Sequence, residues 1–429
     1  MGKRGVANHL KFPKKFSHNW TILLFCALGM VEFSYFSLRG KGYDFPVFYA
    51  ASRLSLNFQS PWDAVFDPIY SAYLNGPLTA LVISPLSLVP QNIALGITRA
   101  LSIVLIPFLT YQISKYFSPY QDLRFLNKRI WLASSIIMFT FPIRANLEYG
   151  QFFIIFLAFA ILALRLSSYE TKGSLLLAGF LIGVCCDYKP QCFMVFALLI
   201  CFKNRYIFLG GVFSIISGAL LSVILTRKAP YLVWCEVILK KFKGGATGDQ
   251  MHIYVLFPGL WSILVLIVIS AFAVAYLLRY RNKVSVQQRS VLIIFITVLL
   301  SPWMHPTDLA LFAVFVVGIA IRSNGLTLFS SLALGSLLVW SNNVTISIFV
   351  ALLSFFILFL YLGRNQQTLF VYKFLIIMPS IFFAIFSKNN PEVEDLLRKL
   401  FGIVSLFCAT FLATISVSEK SRKDLSTSS

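Results

Sequence analysis

The segment WTILLFCALGMVEFSYFSL, Trp20 to Leu38, decides the fold class: 19 consecutive residues carry a single charge, Glu32. A helix needs roughly 20 predominantly apolar residues to cross a bilayer, and this stretch has that length with no proline to break it. Lys3, Arg4, Lys11, Lys14 and Lys15 precede it, which by the positive-inside rule puts the N-terminus in the cytoplasm. No small-residue cleavage site follows, so the segment reads as an uncleaved anchor.

The rest of the chain agrees with that first segment. Of 429 residues, 58% are hydrophobic and 12% charged, against roughly 25% charged in soluble domains, so lipid must be the solvent for most of the surface. A soluble enzyme is excluded. Disorder, fibrous repeats and a disulfide scaffold are excluded too, by 43 Phe and 18 Tyr and by seven Cys without pairing rhythm. The four His lie far apart and no C-x-x-C spacing occurs, so neither a metal nor a cofactor is expected. The net charge of +21 punctuates apolar segments instead of clustering on soluble elements, a pattern of topology and lipid contact rather than nucleic-acid binding.

Further apolar stretches fall at 91–117, 130–147, 152–166, 174–188, 191–203 and 206–226, then at 254–279, 289–303, 307–321, 325–340, 343–362, 369–387 and 398–417. With the proline-broken piece Pro77 to Pro90 held in the outer leaflet, most Lys and Arg fall in one alternating set of loops, which predicts cytoplasmic termini. The acidic residues gather on the other side, where the polar chemistry is expected. The expectation is an all-α, polytopic integral membrane protein with about 12 to 14 spanning or partly spanning helices. It divides into a cytoplasmic tail (1–19), a catalytic module (20–325) whose first outer loop (39–90) carries juxtamembrane helices, C-terminal helices (326–417) and a second cytoplasmic tail (418–429). The short runs 174–188 and 191–203 read as a helical hairpin turning at Lys189-Pro190. A charged turn at that depth survives where it is buried in protein or lines a wet cleft.

The first outer loop opens Gly40-Lys41-Gly42-Tyr43-Asp44-Phe45-Pro46. Asp44 stands just past a membrane span, at the level where a lipid headgroup and a water-borne hydroxyl can both reach it, as a general base requires. The same residue has the position of an N-cap, with Pro46 in the first turn of the helix behind it. Lys189 has three readings: a phosphate ligand, a side chain snorkelling to headgroups, and a partner for Asp187. Arg144 and Glu148, four apart, read as a ligand pair or as an ion pair on one helix. His305 and Asp308 read as donor-orienting groups, with Asp308 equally placed to cap a following helix. His252, beside Asp249, joins the candidates, while Lys240, Lys241 and Lys243 read as a headgroup contact.

Several blocks resemble glycosyltransferase family 87, the polyprenyl-phosphate-mannose-dependent mannosyltransferase group of the GT-C superfamily. They are Asp44-Phe-Pro-Val-Phe-Tyr49-Ala-Ala, Ser60-Pro-Trp-Asp63, Gly76-Pro77 to Pro90, Asn146-Leu-Glu-Tyr-Gly150-Gln151, Leu177-Ala-Gly179-Phe-Leu-Ile-Gly183 with Lys189-Pro190-Gln191, and Ser301-Pro302-Trp-Met-His305-Pro-Thr-Asp308. The resemblance covers residues 20–325 in order. It implies a GT-C-type helical bundle in a bacterial inner membrane. It also implies inverting transfer of mannose or another hexose, on the outer face, from a polyprenyl-phosphate-linked sugar donor to a hydroxyl of a lipid or glycan acceptor. Asp44 would be the base, and Tyr49 and Gln151 would join Lys189, Arg144, Glu148, His252, His305 and Asp308 in binding substrate. The competing readings are a transporter or flippase of lipid-linked sugars, which should show internal repeats, and a non-catalytic scaffold; no repeat is visible.

Overall fold

Trp20 to Leu38 forms most of a 22-residue helix, α1 (His18–Arg39), in a computed structural model. The structure describes residues 18–40, 42–63, 73–117, 124–138, 140–169, 171–190, 192–193, 204–226, 230–243, 305–311 and 314. The regular structure of those residues is helical throughout. Leu23, Met30, Val31 and Leu38 of α1 are exposed, and the helix is long and apolar enough to cross a membrane.

After α1, α2 (Phe45–Leu56) leads to a 3-10 turn at Pro61–Asp63. The expected juxtamembrane piece is α3 (Pro77–Ile83), running straight into a 3-10 turn at Ser84–Leu88. Pro85 cannot donate a main-chain N–H, so the helix tightens there. Only part of the piece faces outward: Val82 and Leu88 are exposed, whereas Leu78, Thr79, Ala80 and Ile83 are buried against α2 and the helices behind it.

The next helix, α4 (Gln91–Phe117), keeps the bounds that hydropathy gave. It is the second helix long and apolar enough to cross a membrane, after α1, and is the more buried of the two. The single stretch expected at 130–147 is instead two helices, α5 (Lys128–Met138) and α6 (Phe141–Tyr149). Pro142 explains the break: it sits in the first turn of α6, where its missing N–H is tolerated, while Thr140 ahead of it adopts the extended backbone of an N-cap. Hydropathy cannot see such a break because the residues next to it, Met138, Phe141, Pro142 and Ile143, keep the window apolar.

Helix α7 (Phe153–Leu166) spans about 21 Å by its 14 residues, short of a hydrocarbon core of about 30 Å. It is buried along its length, from Phe153 and Ile154 to Ala163 and Leu164, and contacts α4 and α8 (Lys172–Tyr188). Thr171 caps α8, accepting from the main-chain N–H of Ser174. Against α8 lies α9 (Arg205–Thr226). A Cβ on Gly179 would stand 1.9 Å from the Ile207 carbonyl oxygen, and one on Gly210 2.1 Å from that of Leu176. The Gly179-x-x-x-Gly183 spacing therefore serves backbone-to-backbone contact between helices, the usual device where no hydrophobic effect drives helices together in lipid. One helix was not anticipated: α10 (Pro230–Lys243) occupies a stretch read as an outer loop. The second arm of the hairpin after Lys189, and the expected spans at 254–279, 289–303 and from 325 onward, lie outside the described residues.

Candidate active site

Two glycines bring the loop after α1 against the turn between α6 and α7. Gly42 has φ +67° and Gly150, the C-cap of α6, has φ +68°, a left-handed backbone that favours glycine. A Cβ on Gly150 would also sit 2.7 Å from that of Phe45. The contact is sealed by the main-chain N–H of Asp44, which donates to the carbonyl of Tyr149 at 3.0 Å.

Asp44 does begin α2, but its side chain makes no capping hydrogen bond. Its Oδ2 instead accepts from Nε2 of Gln151. A carboxylate only accepts, so the amide nitrogen must face it, and the amide oxygen then turns to the hydroxyl of Tyr188, which donates at 2.7 Å. Tyr188 is buried at the end of α8 and stacks on Phe156 with ring centroids 4.2 Å apart, so the chain Tyr188–Gln151–Asp44 is fixed at its far end.

The next residue, Lys189, forms an ion pair with Asp308, Nζ to Oδ1 at 2.7 Å, with both side chains buried. Neither of the other readings of Lys189 describes this pairing: it does not snorkel, and its carboxylate partner is Asp308. Burial opposes the ammonium charge, but Asp308, with smaller contributions from Cys192 and Asp44, outweighs it and raises the Lys189 pKa above its ordinary value, so Lys189 keeps its charge at neutral pH. The Lys189 ammonium also lies 5.5 Å from the ring centre of Phe153. Asp308 sits at the third position of the 3-10 turn Pro306–Leu309, where its Oδ2 accepts the His305 N–H at 3.0 Å and the His305 ring accepts the Asp308 N–H. One ring nitrogen is thereby an acceptor, so in the neutral tautomer the other carries the proton. Asn146 of α6 ties this turn in, donating to the Thr307 carbonyl at 2.8 Å. Residues from four separate stretches of chain thus converge: Asp44, Asn146 to Gln151, Tyr188-Lys189 and His305 to Asp308.

Asp187, two residues before Lys189, has a different office. Its Oδ2 accepts from the N–H and hydroxyl of Thr79, at 2.7 and 2.9 Å, and its Oδ1 from the Tyr231 hydroxyl at 2.9 Å. It caps α3 from across the fold and anchors α10. Arg144 reaches Glu32 of α1 at 3.2 Å and lies over the rings of Tyr35 and Phe36, so its ion-pair partner is on another helix than the Glu148 expected. Glu32 and Arg99, the two charges inside spans, do not form a pair with each other; Arg99 donates to main-chain carbonyls. The Tyr49 hydroxyl donates to the Val89 carbonyl at 2.8 Å, which holds α2 to the turn before α4. His252 lies outside the described residues, and the side chains of Lys240, Lys241 and Lys243 are not described. No group of three or more His, Cys, Asp or Glu with metal-ligand geometry occurs among the described residues.

Tyr188 and Asn146 were not singled out from sequence. Tyr188 adjoins Lys189 and Asn146 stands in the Gly-Gln block, but nothing in a sequence says that either would hydrogen-bond across the fold. Arg99 was visible as a lone charge in an apolar run.

The model of the family described as Glycosyltransferase family 87 matches residues 73–302, more than half of the chain. No curated protein matches it. The chain belongs to glycosyltransferase family 87, a family of membrane glycosyltransferases, which takes the enzyme reading over the transporter and the scaffold.

Proposed function

We propose that this member of family 87 transfers a hexose from a polyprenyl-phosphate donor to an acceptor hydroxyl at the outer face of the membrane, with inversion, and that Asp44 is the general base. The observation that carries the reading is the Asp44 side chain: it stands at a helix start without capping it, and among the described residues Gln151 is its one side-chain donor. In an inverting transfer the acceptor oxygen forms its bond to the anomeric carbon while its proton passes to the Asp44 carboxylate. The bond from that carbon to the donor's phosphate oxygen breaks, and the electron pair leaves with the phosphate. A positioned base contributes about 100- to 10,000-fold.

Lys189 and His305 are the groups suited to the phosphate. Asp308 takes one of the three N–H groups of Lys189, which leaves donors for phosphate oxygens, and His305 stands in the same 3-10 turn as Asp308. Gln151 and Asp308 do not touch the leaving group in this reading; they aim Asp44 and Lys189. Because the donor's lipid stays in the bilayer, an enzyme embedded beside it needs no nucleotide-binding domain. The test offers radiolabelled polyprenyl-phosphate mannose, polyprenyl-phosphate glucose and the matching nucleotide sugars to liposomes carrying the protein and a membrane extract as acceptor. Label should move from a polyprenyl-phosphate sugar and should stop in Asp44→Ala. Transfer from nucleotide sugars alone would overturn the donor assignment.

A further inference from the structure

We propose that Arg99 is a positioning residue for Asp44: one buried guanidinium holds together the two chain ends that carry the base and the glutamine that orients it. The inference rests on Asp44 being the base.

Arg99 is the ninth residue of α4, a helix long and apolar enough to cross a membrane, and is buried. A buried charge is costly unless it is paired or hydrogen-bonded. Its partners are four carbonyl oxygens. Nε donates to Leu147 at 2.8 Å, Nη1 to Phe36 at 3.0 Å, and Nη2 to Gly40 at 3.0 Å and to Glu148 at 3.4 Å. Phe36 and Gly40 belong to the end of α1, Leu147 and Glu148 to the end of α6. The final carbonyls of a helix carry its partial negative charge, so two helix ends brought side by side repel unless a cation lies between them.

Each of the two helix ends runs directly into the site. Four residues past Gly40 comes Asp44, and three past Glu148 comes Gln151. The two strands then meet in the Asp44 N–H to Tyr149 bond and the Gln151 to Asp44 bond. Gly40 fits this clasp closely, since a Cβ there would stand 2.8 Å from Nη2 of Arg99. Only a planar fork of N–H donors bridges carbonyls in two directions at once; a lysine ammonium supplies the charge without that geometry. Displacement of a reacting group by about 1 Å costs on the order of 100-fold in rate, so a clasp that far from the acceptor can still control the chemical step.

The experiment compares wild type, Arg99→Lys, Arg99→Gln, Asp44→Asn and Phe25→Ala in liposomes. Phe25 packs on Trp131 at the α1–α5 contact, and its truncation serves as a destabilised control. Two quantities are read: transfer from radiolabelled polyprenyl-phosphate mannose, as kcat and donor KM per folded molecule, and amide hydrogen exchange of peptides covering 42–48 and 147–151. Both Arg99 variants should lose about 100-fold in kcat with donor KM changed less than about threefold, and exchange should rise in both peptides. Phe25→Ala should lower the thermal midpoint while keeping kcat and the protection of both peptides. Restoration of wild-type kcat by Arg99→Lys, unchanged protection in Arg99→Gln, or a kcat loss matched by Phe25→Ala would each overturn the proposal. Transfer by Asp44→Asn at the wild-type rate would instead sink the assignment of the base, while exchange would still report on the clasp.

Discussion

Asp44 and Asp187 each stand at the start of a short helix, and the fold uses them in opposite ways. Asp44 occupies the N-cap position of α2 and caps nothing; Asp187, from the far end of α8, caps α3 and also holds Tyr231. The cap of α3 is supplied across 108 residues, while a carboxylate already in place at α2 is left to one amide donor. A side chain that declines the local task its position offers is the one to test for chemistry, and one whose oxygens are all engaged by main chain and hydroxyls is structural.

That contrast is most exposed to Asp44→Asn. The substitution should lower transfer about 1,000-fold, while the thermal midpoint moves less than about 2 °C, because no helix loses a cap. A large fall in midpoint, measured by fluorescence-detected unfolding in detergent, would put Asp44 in the class of Asp187. Next in size is the Lys189–Asp308 pair. Lys189→Met alone strands a buried carboxylate and should cost about 3–5 kcal/mol of stability, much of it recovered in the double variant Lys189→Met, Asp308→Leu. Additive losses across that cycle would show that the two are not coupled.

Asp187→Ala sharpens the contrast from the other side. It leaves the Thr79 amide and the Tyr231 hydroxyl without an acceptor, about 1–3 kcal/mol for each buried group left unpaired, so the midpoint should fall while transfer per folded molecule drops far less than in Asp44→Asn. Tyr188→Phe is the mildest change. It removes the donor that fixes Gln151 and keeps the ring stacked on Phe156, and should reduce kcat about 10-fold with stability little altered. A KM effect without a kcat effect would place Tyr188 on substrate binding instead of on the alignment of the base.

Much of the fold was legible because length and hydropathy report directly on lipid burial: α4 keeps its sequence bounds, and α1, α7, α8 and α9 come within two residues of theirs. The break at Thr140 and the helix Pro230–Lys243 were not, since one depends on where a proline's missing N–H can be tolerated and the other on an amphipathic stretch that hydropathy reads as a polar loop. In the site, Asp44, Gln151, Lys189 and Asp308 were each nameable from sequence as chemistry-bearing residues in short motifs. How they would pair was not. That Lys189 would choose Asp308 over Asp187, or Arg144 Glu32 over Glu148, depends on tertiary contacts spanning more than 100 residues, which local spacing does not encode.

The base assignment is tested most directly by chemical rescue in a single turnover. Asp44→Ala in liposomes, charged with radiolabelled polyprenyl-phosphate sugar and acceptor, should be nearly inactive and should regain transfer as formate is added, the small carboxylate filling the vacated position; Asp187→Ala should show no such response. Transfer by Asp44→Ala at the wild-type rate without formate would contradict the account.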